Sequence, residues 1–266
     1  MPLPLGLDRT WGYRRFIFGS VMQELRSRYA GSLFGILWAL LQPLSLILIY
    51  SVIFSSIMRP GLPTEGRAFA YTVYLCSGLL LWMFFVELLT RSTAIFVRNG
   101  GLLKKVNFPR LTLPIIALLS ALLNYAIIMC VFLVLLIVAG FLPGAAALHA
   151  VPVVAITGGF AIGLGLACAT INVYYRDVEQ FIAIVTQLWF WLTPIVYPIN
   201  IVPERFHVFL DWNPMVPMVE AMHGIFVEGT APDTSTLIFP AMTALVSLML
   251  GAWVYFRLGS DMTDES

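Results

Sequence analysis

The residues able to do chemistry in this chain are few. Glu87 stands inside a long apolar run, and Arg91 follows one helical turn later. That spacing lets the two pair; a carboxylate at membrane depth can alternatively carry a proton or meet a substrate. His149, His207 and His223 are scattered over segments expected outside the membrane and read as solvated or structural rather than catalytic. Cys76, Cys130 and Cys168 each fall in an apolar run with no CxxC spacing. They read as small buried hydrophobes, with neither a disulfide framework nor a metal site. No G-x-x-x-x-G-K-S/T, H-E-x-x-H or G-x-S-x-G pattern occurs. The chain therefore carries no phosphate loop of that kind. It also lacks the midplane carboxylates and broken half-helices expected of an ion-driven transporter, and a nucleophile with a base. A multi-span protein of this kind borrows its energy or acts as a passive pore.

Aromatic residues make up 14% of the chain. Tyr71, Tyr74, Gly78, Trp82 and Phe85 step by three, four, four and three, so they share one helical face. Trp189, Phe190, Trp191 and Tyr197 form a second group. Successive helical residues point about 100° apart, so the Trp-Phe-Trp triplet cannot all line one path. Tyr71, Tyr74 and Tyr197 lie near the expected outer boundary, where an aromatic belt accounts for them. Trp82, Phe85, Trp189 and Trp191 lie deeper; they belong either to that belt or to a translocation path, where rings stack on sugar C–H faces.

The elements that position these residues follow from hydropathy. Of 266 residues, 60% are hydrophobic and 11% charged, and the mean hydropathy is +0.90. Soluble domains carry about 25% charged residues, so this is an all-α integral membrane protein. Six apolar stretches reach the ~20 residues that cross a bilayer: 33–58, 68–90, 111–142, 151–175, 181–202 and 234–256. Their continuous apolarity excludes a barrel. They form one transmembrane domain, 33–257, between an N-terminal segment, 1–32, and a tail, 258–266. The opening residues lack the order of a signal peptide. All 15 Lys and Arg except Arg59, Arg67 and Arg205 fall on one side of this arrangement. The positive-inside rule places that side, with both termini, in the cytoplasm.

Three segments stand apart. Residues 11–29 form an amphipathic helix with Phe18, Met22, Leu25 and Tyr29 on its apolar face. Glu24 can pair with Arg28. The helix lies either in the headgroup layer or docked on the protein. Residues 98–110, Arg-Asn-Gly-Gly-Leu-Leu-Lys-Lys-Val-Asn-Phe-Pro-Arg, form a short basic inner loop. Residues 203–233 repeat Met215, Met218 or Val219, Met222 and Phe226 at helical spacing, too short to span. They read as re-entrant helices forming an outer lid, or as a structured external loop. Gly159 and Gly163 make a GxxxG pattern serving packing within the chain or dimerisation. Pro43, Pro114, Pro194, Pro198 and Pro240 mark expected kinks.

Four blocks then carry a resemblance. They are Glu24-Leu25-Arg26-Ser27-Arg28-Tyr29 followed by Ser32, Leu33, Gly35, Trp38 and Leu41-Gln42-Pro43-Leu44; Arg98-Asn99 through Lys104-Lys105-Val106 to Phe108-Pro109-Arg110 and Pro114; Asn172-Val173-Tyr174-Tyr175-Arg176-Asp177-Val178; and Pro194-Ile195-Val196-Tyr197-Pro198 with Asn213-Pro214-Met215. In order and spacing, over nearly the whole chain, they resemble the permease subunits of type-two ABC exporters, of the O-antigen and capsular polysaccharide (Wzm/KpsM) kind. The resemblance implies a homodimer bound to two nucleotide-binding ATPase subunits, which hold ATP and Mg; this chain holds no cofactor. It implies an inner-membrane location, a lipid-linked glycan as cargo, and no nucleic acid. It implies an interface helix, a coupling helix and re-entrant helices, which fall on residues 11–29, 98–110 and 203–229. Arg98, Asn99, Lys104, Lys105, Phe108, Pro109 and Arg110 are the expected coupling residues. Arg26, Arg28 and Tyr29 are expected where the glycan pyrophosphate enters, and Asn213, Pro214, Glu220 and His223 at the outer gate. Met222-His223 stands where the family often has an aromatic–arginine pair. Alternatives are the same machine carrying teichoic acid, glycolipid or drug, a passive channel, or an intramembrane glycan-modifying enzyme.

Overall fold

The computed structural model describes residues 13–29, 70–101, 110–138, 140 and 144–258, with positions 41 and 45. The expected first span apart from positions 41 and 45, residues 102–109 and all but the first residue of the tail lie outside the described residues.

Helix α1, Arg14–Tyr29, docks on the bundle through Ile17 and Val21, which pack on Ile116. Of the expected apolar face, Phe18 is 67% exposed and Met22 half-buried, and the side chains of Leu25 and Tyr29 lie outside the described residues, while Ile17 and Val21 face the bundle. Packing against a neighbouring helix, which hydropathy alone does not reveal, selects β-branched Ile17 and Val21.

Helix α2, Ala70–Arg98, continues beyond the expected span because Phe96 finds a cluster with Leu113 and Ala169. At 29 residues it is about 43 Å long, with no proline inside. Helix α3, Thr112–Val138, carries Pro114 in its first turn, where a missing N–H leaves no intrahelical bond unmade. A 3-10 turn, Gly144–His149, leads into helix α4, Ala150–Tyr174. Helix α5, Asp177–Trp191, is followed by a bend, and two further 3-10 turns, Ile199–Ile201 and Glu204–Phe206, precede short helix α6, His207–Asp211. Helix α7, Met215–His223, runs into a π turn, Gly224–Glu228, and helix α8, Thr234–Leu258, contains Pro240. Among the described residues, four helices are long and apolar enough to cross a membrane: α2, α3, α4 with its 3-10 lead, and α8.

In the expected fifth span, 181–202, the helix ends at Trp191, and its 15 residues reach about 22 Å. Pro194 and Pro198 stop it, since neither can donate to a helical ladder and each constrains the residue before it. The freed backbone is satisfied by side chains. The Tyr71 hydroxyl donates to the Val196 carbonyl at 2.9 Å, and the Tyr74 hydroxyl to the Tyr197 carbonyl at 3.1 Å. Irregular backbone at membrane depth requires such partners. Tyr71 and Tyr74 are accordingly buried at 4% and 6% exposure, rather than standing in a lipid-facing belt.

Helix α4 is the centre of the bundle, packed mainly on α8 and α2. A Cβ on Gly163 would press into the backbone of Ser247, and one on Gly251 into the Gly163 carbonyl. The glycine pattern therefore serves close approach within the chain. Helix α8 turns Ala244, Ser247, Gly251 and Val254 inward and Met242, Leu245, Met249 and Trp253 outward. Small residues inside and large apolar ones outside suit a helix between protein and lipid.

Candidate functional site

The candidate site follows the aromatic face of α2 from one end to the other. Toward the C-terminal end of α2, Arg91 sits between two carboxylates. Its Nη1 donates to Glu24 Oε1 of α1 at 2.7 Å, and its Nε lies 3.1 Å from Glu87 Oε1. The second oxygen of each carboxylate accepts from α3. Ser120 Oγ donates to Glu24 Oε2 and Asn124 Nδ2 to Glu87 Oε2, both at 2.6 Å. The expected Glu87–Arg91 pair is present, enlarged into a network across three helices. Asn124, a polar residue in the long apolar stretch 111–142, was a visible signal that sequence reasoning passed over.

Two turns further, Arg98 Nη2 bonds Glu179 Oε1 at 2.6 Å, tying the end of α2 to the start of α5. Asn172 secures the same corner; its Nδ2 donates to the Thr93 carbonyl and its Oδ1 accepts from the Glu179 N–H. Asn99 Nδ2 donates to the Ile95 carbonyl at 2.8 Å, closing the last turn of α2. Arg110 is half-buried at the foot of α3. Lys104, Lys105, Phe108 and Pro109 lie outside the described residues, as do the side chains of Arg28 and Tyr29. Arg26 is exposed on α1, beyond the Glu24 network.

Midway along α2 the aromatics interlock. Trp82 meets Trp189 and Phe190 edge-on at 6.2 and 5.9 Å, and Phe85 lies 5.4 Å from Trp189. Phe160 of α4 stacks on Phe85 at 5.7 Å. Such pairs add about 0.5–1.5 kcal/mol each beyond area burial. Trp82 and Phe85 are buried, whereas Trp191 is 57% exposed. The structure brings Trp82, Phe85 and Trp189 into direct ring contact and places Trp191 at the exposed edge of the cluster, 5.2 Å from Phe190. Phe160 and Phe190 complete the cluster; no spacing in the sequence links Phe160 to it.

Toward the N-terminal end of α2, Asn213 is a junction. Its Oδ1 accepts from Trp189 Nε1 at 2.9 Å and from the Met215 N–H at 3.0 Å. Its Nδ2 donates to Thr193 Oγ1 at 3.0 Å and to the Leu192 carbonyl at 3.3 Å. Pro214 follows at the start of α7. Met215, Met218, Val219 and Met222 are buried, as their spacing predicted.

Of the two readings of His223, solvated or structural, the structure favours the structural one. The ring is buried at 5% exposure and stacks on Tyr74, centroids 3.7 Å apart. It fits because residue 78 is glycine; a Cβ there would lie 2.6 Å from Nε2. Nδ1 is 3.7 Å from Glu220 Oε1, and neither ring nitrogen has a hydrogen-bond partner among the described residues. Beside Glu220 a cleft of about 600 Å³ opens, lined also by Asp211, Pro217, Thr230, Asp233 and Phe239. A hydrogen bond from the Ser235 N–H holds the Asp233 carboxyl below the usual carboxylate range. Among the described residues no cluster of His, Cys, Asp and Glu could hold a metal ion.

Residues 16–227 match the ABC-2 type transporter family. The chain belongs to that family. Within it, the O-antigen export system permease protein RfbA of Klebsiella pneumoniae is 32% identical over 209 residues, 78% of either chain. The RfbA protein of Myxococcus xanthus is 29% identical, over 91% of this chain and 92% of the relative. The polysialic acid transport protein KpsM of Escherichia coli is 25% identical, over 88% and 90%. In this ABC-2 type transporter chain the family match takes in α1, the aromatic cluster and α7 alike.

Proposed function

We propose that this chain is the permease subunit of an exporter that moves lipid-linked polysaccharide of the O-antigen or capsule type across the inner membrane. The observation that carries the reading is the likeness to O-antigen export permeases over almost the full length of both chains. A separate nucleotide-binding subunit supplies the energy, binding ATP and Mg. The absence of a phosphate-loop motif from the whole sequence supports that division of labour.

The working unit is two permeases with two ATPase subunits. Both termini face the cytoplasm, in keeping with the distribution of Lys and Arg. Six spans cross the membrane, 33–58 being the first and the shortened 181–202 segment the fifth. The ATPase pushes on residues 98–110, where Phe108 and Pro109 form a rigid knob and Lys104, Lys105 and Arg110 meet acidic groups. Arg26, Arg28 and Tyr29 receive the glycan's pyrophosphate at the headgroup layer, where exposed Phe16 and Phe18 also favour lipid. The aromatic cluster opens to pass sugar rings, and α7, with Asn213, Pro214, Glu220 and His223, forms a re-entrant outer gate.

Deleting the gene tests the reading. Finished lipid-linked glycan should accumulate on the cytoplasmic leaflet and vanish from the cell surface. Normal surface glycan in the deletion strain would end the proposal. Replacing Phe108 or Arg110 by alanine in the restored gene should leave membrane insertion intact and lower export per ATP hydrolysed by about tenfold.

A further inference from the structure

Among the described side chains of helix α1, Ile17 and Val21 are buried against Ile116, with Ile115 and Leu123 packed alongside, while Arg14, Arg15 and Phe18 are exposed. The Arg91 network adds a polar tie to the same bundle. One guanidinium engages two carboxylates through separate nitrogens, and α3 supplies a donor to each remaining oxygen. The Arg91 and Glu87 side chains are each 18% exposed, and that of Glu24 is 41% exposed. The Arg91–Glu87 half of the network is sheltered and the Arg91–Glu24 bond lies nearer the surface; charge-assisted bonds of this kind are stronger than neutral ones.

The arginine belongs to a helix that reaches the opposite face. From Arg91, α2 runs without proline to Tyr74 and Tyr71, which hold the 194–197 bend; Tyr74 also stacks on His223 of α7 and Tyr71 on Tyr74. A straight helix packed along its length transmits displacement rather than absorbing it. Whatever moves α1 therefore pulls on α2 through Arg91, and the far end of α2 bears on the outer helices.

We infer that Arg91 is a positioning residue for transport: it clamps the interface helix to the second span, so that ATPase-driven displacement of α1 reaches the outer latch formed by Tyr71, Tyr74 and His223. This rests on the exporter reading above. Glu24 is the other jaw of the clamp, and Glu87 with Asn124 holds the guanidinium at its angle.

The test uses the complete transporter with its ATPase subunits in liposomes, reading ATP hydrolysis and transfer of the native lipid-linked glycan together. Arg91→Met is expected to keep hydrolysis while glycan moved per ATP falls about tenfold. Glu24→Gln, which keeps shape and loses charge, gives a smaller loss of the same kind and decides the matter if R91M fails to reach the membrane. Val21→Cys with Ile116→Cys, in R91M lacking the three natural cysteines, fastens α1 covalently once a short thiol cross-linker is added. Export per ATP should then recover. Equal export per ATP in wild type, R91M and E24Q overturns the clamp. So does loss of export that cross-linking leaves untouched, which would assign Arg91 another role. A wild-type complex that hydrolyses ATP and moves no glycan overturns the exporter reading itself.

Discussion

Gly78 and His223 make one decision between them. The imidazole occupies the space a side chain on residue 78 would fill, with Val219 Cγ1 also 3.1 Å from that position. Gly78→Ala should therefore destabilise the protein by about 1–3 kcal/mol, the cost of overpacking. Adding His223→Ala should return most of it, because the obstacle is removed. Thermal unfolding of the single and double variants in detergent measures both. A G78A protein that melts with the wild type would show that α7 is not seated against α2. Asn213 follows a different rule. Removing its amide by Asn213→Ala orphans the Trp189 N–H and the Met215 N–H, at about 1–3 kcal/mol for each buried group left unpaired. Asn213→Asp keeps the acceptor and should cost less in the same assay.

Among the elements, α4 and α8 depend on closeness. Their backbones touch at Gly163 and Gly251, so Gly163→Val should lower the amount of folded protein in the membrane rather than alter its oligomeric state. Quantifying membrane protein and its protease resistance distinguishes the two outcomes. A G163V chain that is abundant and resistant, with only its self-association changed, would move the glycine pattern to a subunit interface. The fifth apolar stretch teaches a related lesson. Pro194 and Pro198 were legible as breakers, yet their consequence was not. The helix stops before them because Tyr71, Tyr74 and Asn213 can receive the released carbonyls. Without those partners a kinked but continuous helix would be the cheaper solution.

For the whole molecule, the arrangement of charge predicts sidedness. In a chain freed of its natural cysteines, Tyr175→Cys lies at the exposed inner corner between α4 and α5, and Ser235→Cys beside the outer cleft. An impermeant thiol reagent added outside should label position 235 and spare 175 until the membrane is opened. The reverse pattern would invert the topology and with it the assignment of inner and outer ends to α2.

The sequence by itself determined the class: a membrane protein of long apolar helices with basic ends, without a phosphate loop of its own, and with aromatics on one face of α2. These follow from composition and periodicity, which act within one segment at a time. Which face of α1 is buried, that His223 lies inside, and that Arg91 joins three helices were decided only by tertiary structure. In an apolar helix every face is compatible with lipid, so the pattern of residues does not choose a neighbour. The choice falls to close packing at glycines and to the few polar groups that must find partners across helices.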